Sequence, residues 1–129
     1  MQNPSPALRN FLKYNLPSIL WAVFILGVCL IPGKELPSVS IWEFDKLVHF
    51  GVYVVLAILL FWGWKKQTAF PFLHRQVLVK IMLSTFSYGF AVEILQEFLT
   101  VDRHFELLDA VANAAGGIAG SLISVKLFR

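Results

Sequence analysis

LVHFGVYVVLAILLFWGW, residues 47–64, is an aliphatic and aromatic run interrupted only by His49, Gly51, Tyr53 and Gly63. Trp62, Trp64, Lys65 and Lys66 close it with the aromatic and basic pattern of a membrane–water boundary. Such a segment approaches the ~20 residues that a helix needs to cross a hydrocarbon layer of ~30 Å. It reads as a membrane-spanning helix, and the rest of the chain repeats the pattern.

Three further apolar runs follow the same reading. The first extends from Leu16 to Ile31 and is closed by Pro32-Gly33. Pro17 suits the first turn of a helix, where a missing N–H leaves no bond unmade. Phe11, Leu12 and a snorkelling Lys13 lengthen this run. A signal peptide is the rival reading, because Arg9 and Lys13 precede a short apolar core. No small-residue cleavage pattern follows at Ile31-Pro32-Gly33-Lys34, which favours a retained helix. The other runs are about Val77 to Leu99 and about Leu107 to Leu127. The latter has an Ala/Gly-rich centre containing Gly116, Gly117 and Gly120. None alternates apolar and polar residues as a barrel strand would. The expectation is therefore all-α: one polytopic domain over residues 1–129, a compact bundle of helices at about 16–31, 47–64, 77–99 and 107–127.

Composition agrees. The 129 residues are 57% hydrophobic and 15% charged, with a mean hydropathy of +0.69. A soluble domain is nearer a quarter charged, because it needs polar residues to cover its surface. The net charge of +3 does not point to nucleic acid, since no basic stripe interleaves with stacking aromatics. The single Cys29 sits in an apolar run and reads as a small hydrophobe.

Four spans put the N-terminus, the 65–76 loop and the C-terminus on one side. Arg9, Lys13, Lys65, Lys66, Arg75, Lys80, Lys126 and Arg129 lie there, against Lys34, Lys46 and Arg103 on the other. The positive-inside rule then makes both termini cytoplasmic, in a multi-pass protein of the plasma membrane. All eight acidic residues (Glu35, Glu43, Asp45, Glu93, Glu97, Asp102, Glu106 and Asp109) fall at the opposite, outer side. Helix-end capping accounts for Asp45 and Asp109. It does not account for Glu93 and Glu97, which approach a helix C-terminus, where the dipole disfavours negative charge.

Spacing groups these residues. Asp45 and His49 share a face if helix 2 has begun by residue 45, and Glu93, Gln96 and Glu97 share one face of helix 3. Asp102-Arg103-His104 lies in the outer loop. Asp109, Asn113 and either Gly116 or Gly117 form a stripe on helix 4. An ionised group near mid-bilayer costs ~2.5–3.5 kcal/mol on insertion scales, so such stripes face one another or line water. Each residue taken singly fits an ordinary structural role, such as a core histidine or interhelical amide glue. Taken together, Asp45, His49, Glu93, Arg103, Asp109 and Asn113 read as a site. Gly116 and Gly120 read as packing residues of the small-xxx-small kind, within the bundle or between protomers of an oligomer. His74 and His104 read as loop residues.

At these positions the sequence resembles the VanZ-like family of small bacterial membrane proteins. The resemblance rests on Asp45-Lys46-x-x-His49-Phe50, on Glu93-x-x-Gln96, and on Arg103 followed by Asp109-x-x-x-Asn113-x-x-Gly116. It implies a bacterial cell-envelope setting, and its founding member is linked to resistance to the glycopeptide teicoplanin. Glu97 is an additional carboxylate that the family pattern does not require.

Three functions compete. In the first, an enzyme modifies a lipid or lipid-linked envelope molecule, with His49, Glu93 and Asp109 as catalytic groups and Asp45, Gln96, Glu97, Arg103 and Asn113 binding substrate. Arg103 would hold an anionic head group and Asn113 would orient the substrate. A divalent-metal version uses Asp45, His49, Glu93 and Asp109 as ligands, although no HExxH-type spacing is present. The second is a non-catalytic binding protein for such a ligand. The third, a proton or ion path through His49, Glu93 and Glu97, lacks ionisable residues to continue it through the far halves of helices 2 and 4.

Overall fold

Why the chain turns helical where it does is plainest at its start. Ser5 accepts a hydrogen bond from the Leu8 amide at 3.2 Å, and Pro6 occupies the first helical turn. This cap and N-terminal proline pair launches helix α1, Pro6–Cys29. The computed structural model describes residues 3–32 and 42–129, the side chains of 42–44 excepted. Helix α2 spans Trp42–Lys66, a 3-10 turn covers Pro71–Leu73, and helices α3 and α4 span Val77–Leu99 and Leu107–Leu127. No strand occurs among the described residues. Gly33, Lys34, Glu35 and the side chain of Glu43, which entered the reading of the sequence, lie outside them.

All four helices are long and apolar enough to cross a membrane. At a rise of ~1.5 Å per residue, each exceeds the ~30 Å hydrocarbon layer. Leucine, valine and phenylalanine cover the outside: Leu20, Val23, Leu83, Phe98 and Leu122 are all exposed. In water such a surface would be an aggregation site, whereas in lipid it is the solvated face. The chain is a multi-pass membrane protein.

The helices run longer than the apolar windows that announced them. Helix α1 begins ten residues before Leu16, and Pro17 lies in its interior rather than in its first turn. Its ring faces outward, so the loss of one N–H leaves the packed face intact. Helix α2 continues over polar residues at both ends, and residue 45 is already helical.

Helix α4 lies against α2 and α3, and α1 lies chiefly against α2. Glycine explains how closely α4 approaches. A Cβ on Gly116 would stand 2.3 Å from the Phe50 carbonyl oxygen, and one on Gly120 would stand 2.4 Å from that of Val54. The Gly116/Gly120 face that sequence left open between bundle and oligomer is thus occupied by α2 of the same chain. Ile25, Tyr53 and Leu56 form one apolar cluster; Ala57, Phe61 and Ile81 form another. The buried ionisable groups His49, Glu93 and Asp109 gather at the bundle end where α1 and α3 finish and α2 and α4 begin, the site end.

Candidate functional site

The N-terminal turns of α2 supply Asp45, Lys46 and His49. A helix that starts at Trp42 puts Asp45 and His49 one turn apart on one face, and their Oδ1 and Nε2 atoms are 3.8 Å apart. From α4, Asp109 in the first turn and Asn113 one turn deeper point back at the same imidazole. His49 Nδ1 lies 3.0 Å from Asn113 Oδ1, and Nε2 lies 3.7 Å from Asp109 Oδ2. Helix α3 brings Glu93 beneath them, its Oε1 3.7 Å from His49 Nδ1 and 3.4 Å from the Asn113 amide nitrogen, which donates to it. His49, Glu93, Asp109 and Asn113 are all buried, whereas Asp45 is half exposed at the mouth.

These contacts set the roles of the ring nitrogens. Asn113 gives its NH2 to Glu93 and presents its carbonyl oxygen to His49, so Nδ1 must carry a proton to donate to it. In the neutral imidazole the lone pair is then on Nε2, which faces Asp45 and Asp109. Asp45, His49 and Asp109 each place a ligand atom within 4.8 Å of the others, and this is a spacing a metal ion could close. Glu93 is separated from that group by the imidazole ring. Its Oε2 is buried with no hydrogen-bond partner among the described residues.

Lys46 is a member of the site that sequence reasoning counted as an orientation charge and as part of the Asp45-Lys46-x-x-His49-Phe50 motif, without giving it a role in the site. Its ammonium donates to Asp109 Oδ1 and, at 2.5 Å, to Glu106 Oε2, with Asp45 Oδ2 at 3.9 Å. It thereby holds one Asp109 oxygen and leaves the other turned toward His49. The signal was present: Lys46 precedes His49 by three residues and so shares its face. Tyr53, one turn beyond His49, was also passed over. It is buried with its hydroxyl unpartnered among the described residues, and its ring edge lies within reach of the Gly89–Asn113 contact.

Other expected members are engaged elsewhere. Gln96 donates to the Cys29 carbonyl at 2.7 Å, and Arg103 Nη1 reaches the Cys29 and Ile31 carbonyls at 3.4 and 3.5 Å. Both therefore satisfy carbonyls left open at the end of α1, where cations and donors are favoured. In this arrangement Arg103 is not aimed at the His49 cluster as a head-group clamp would be. Glu97 accepts the Phe105 amide at 2.5 Å and has His104 at 3.7 Å, so it fastens the α3–α4 loop. His74 is more than a bystander in its loop, since Nε2 lies 2.7 Å from the Gln67 carbonyl oxygen.

A model of the VanZ/LLP1 family matches residues 4–129. An uncharacterised protein of Schizosaccharomyces pombe is 28% identical over 121 residues, which are 92% of this chain and 70% of that protein. A relative in a fission yeast means that similarity to this chain extends beyond bacteria. No solved structure matches.

Proposed function

The chain belongs to the VanZ/LLP1 family, and we propose that its site end receives the polar head of a membrane lipid or lipid-linked envelope molecule, with His49 as the acid–base group. The observation that carries this reading is a buried imidazole held from two sides. Asn113 fixes Nδ1, and the carboxylates of Asp45 and Asp109 face Nε2 without reaching hydrogen-bond length. A histidine serving only to glue helices together would have both nitrogens bonded. Here one nitrogen is turned toward the half-exposed Asp45 at the level of the helix ends, where head groups lie. The basic residues gathered at the opposite end support placing this mouth at the outer face of a plasma membrane.

A transmembrane proton path is less well supported. Between Glu93 and the far end, the buried polar side chains that follow on α3 and α4 are Thr85, Ser121 and Ser124. Each of their hydroxyls donates to a backbone carbonyl one turn earlier on its own helix. Such back-bonded hydroxyls are helix packing groups.

The test is mass spectrometry of lipids retained by the full chain after purification in mild detergent and reconstitution, compared with His49→Gln and Asp109→Asn. A lipid class enriched on the wild-type chain and lost from both variants, with helicity and elution volume unchanged, is the expected result. Equal retention by all three chains would remove the head-group reading. Appearance of a modified lipid with wild type alone would identify catalysis rather than binding.

A further inference from the structure

Among the described residues in contact around His49, carboxylates outnumber cations. Asp45, Glu93 and Asp109 stand around His49, Glu106 joins them through Lys46, and the Lys46 ammonium is bonded among them. A bare anionic head group would be repelled from such a cluster, and buried carboxylates without counter-charge are costly in a low-dielectric setting.

We propose that Asp45, His49 and Asp109 bind one divalent cation of the zinc or manganese type, leaving a coordination position open toward the mouth of the site. Three features of the geometry agree. The donors are an imidazole nitrogen and two carboxylate oxygens, a set that suits borderline divalent ions. Nε2 stands 3.8 Å from Asp45 Oδ1 and 3.7 Å from Asp109 Oδ2. With the third separation at or below 4.8 Å, one ion can lie about 2.4 Å from all three, close to metal–ligand distances. Further, the tautomer is already set. Asn113 accepts from Nδ1, which turns the Nε2 lone pair toward the two carboxylates, as an outer-shell partner does for a metal-bound histidine.

Glu93, on the Nδ1 side of the same imidazole, adds a second observation. It is fully buried, its carboxylate faces the imidazole and the Asn113 amide, and Oε2 has no partner among the described residues. A dication on Nε2 draws electron density from the ring and strengthens the positive end of the Nδ1–H group beside Glu93. The ion also offsets the negative charge of the Asp45 and Asp109 carboxylates that it joins. Lys46, bonded to Asp109 Oδ1, leaves Oδ2 available and fixes its direction.

The cation deepens the proposed function, on which its open position rests: a phosphate or carbonyl oxygen of a head group would complete the coordination there. The experiment uses the full chain in detergent or nanodiscs, stripped with chelator and titrated with Zn2+ and Mn2+ by calorimetry, with bound metal counted by elemental analysis. One equivalent is expected. Asp45→Asn, His49→Gln and Asp109→Asn should each lower affinity at least tenfold, and Asn113→Leu by about ten- to a hundredfold through the tautomer. Asp45 is half exposed, so Asp45→Asn keeps the test open if the buried variants fail to fold. Less than half an equivalent on the wild-type chain, or affinity unchanged by Asp45→Asn, would overturn the site. Metal bound without any lipid retained would uphold the cation and sink the head-group reading, so the two fail separately.

Discussion

Gly116→Ala should loosen the bundle and disconnect the site in one step. The added methyl carbon would stand 2.3 Å from the Phe50 carbonyl oxygen and 3.1 Å from both Phe50 C and Tyr53 Cβ. Carbon and carbonyl oxygen settle at about 3.3–3.6 Å, so α4 must back away from α2 by about 1 Å. The obstacle is backbone, which no rotamer change removes. A gap of about 0.5–1 Å already forfeits a quarter to a half of each dispersion contact it opens. Overpacking of this kind costs about 1–3 kcal/mol, and a backbone clash in the main helix contact belongs at the upper end. The same retreat acts on function. Asn113 is one turn from Gly116, and His49 is the neighbour of Phe50, so their 3.0 Å contact stretches to about 4 Å and ceases to be a hydrogen bond.

Two readouts follow. Unfolding by SDS titration, monitored by circular dichroism, should show a lower midpoint for Gly116→Ala. Histidine-selective 15N NMR should show loss of the fixed Nδ1–H tautomer. Gly51→Ala is the control, because nothing lies within 4 Å of its added carbon. Exchanging glycine for alanine in a helix gains about 0.5–1 kcal/mol, so this variant should be neutral or slightly more stable. If Gly116→Ala unfolds at the wild-type midpoint with the histidine spectrum unchanged, the close α2–α4 approach is wrong.

Lys46→Met removes the ammonium shared by Asp109 and Glu106 and leaves the buried Asp109 carboxylate with less counter-charge. A loss of about 3 kcal/mol is expected in the same titration, with much of it recovered when Asp109→Asn is added. Recovery would be absent if Lys46 served only as a surface charge. Gln96→Leu leaves the Cys29 carbonyl with only the longer Arg103 contact among the described residues, at about 0.5–1.5 kcal/mol. Amide exchange should accelerate in the last turn of α1, while the first turns of α4 keep wild-type protection.

The four helices were legible because a membrane span is a statement about composition over ~20 residues, and no tertiary information is needed to read it. Their ends were less legible for the same reason. Asp45, Lys46, Lys65 and Lys66 are polar, so an apolar window excludes them, yet they continue α2 by backbone bonding. Pro17 misled in the same way: proline usually marks a helix start, but Ser5-Pro6 already supplied one. At the site, spacing of four residues correctly aligned Asp45 with His49 and Asp109 with Asn113, because helix geometry alone decides which side chains share a face. Gln96 and Glu97 obey equally good spacing and Arg103 was drawn in from the outer loop, but their partners are the Cys29 and Ile31 carbonyls and the Phe105 amide. Backbone partners carry no residue identity, and no pattern of side chains could have announced them.

That contrast separates polar groups that hold the bundle from those left over. Gln67 bonds both its amide ends to the 64–70 turn, and Thr85, Ser121 and Ser124 bond the carbonyls one turn back. In hydrocarbon an unsatisfied group costs several kcal/mol, which is why such bonds are made locally wherever they can be. Asn15 Oδ1 is unpartnered near the other end, but it belongs to a neutral amide whose NH2 is bonded to the Phe11 carbonyl. Glu93 is a carboxylate with an oxygen free, next to an imidazole whose second nitrogen faces two more carboxylates at 3.7 and 3.8 Å. A helix joint needs none of this, and replacing the group by a well-packed apolar set would be neutral or stabilising. The arrangement makes physical sense when a cationic or hydrogen-bonding guest completes it, which is the ground for proposing function at the His49 cluster and not at the more numerous polar residues around it.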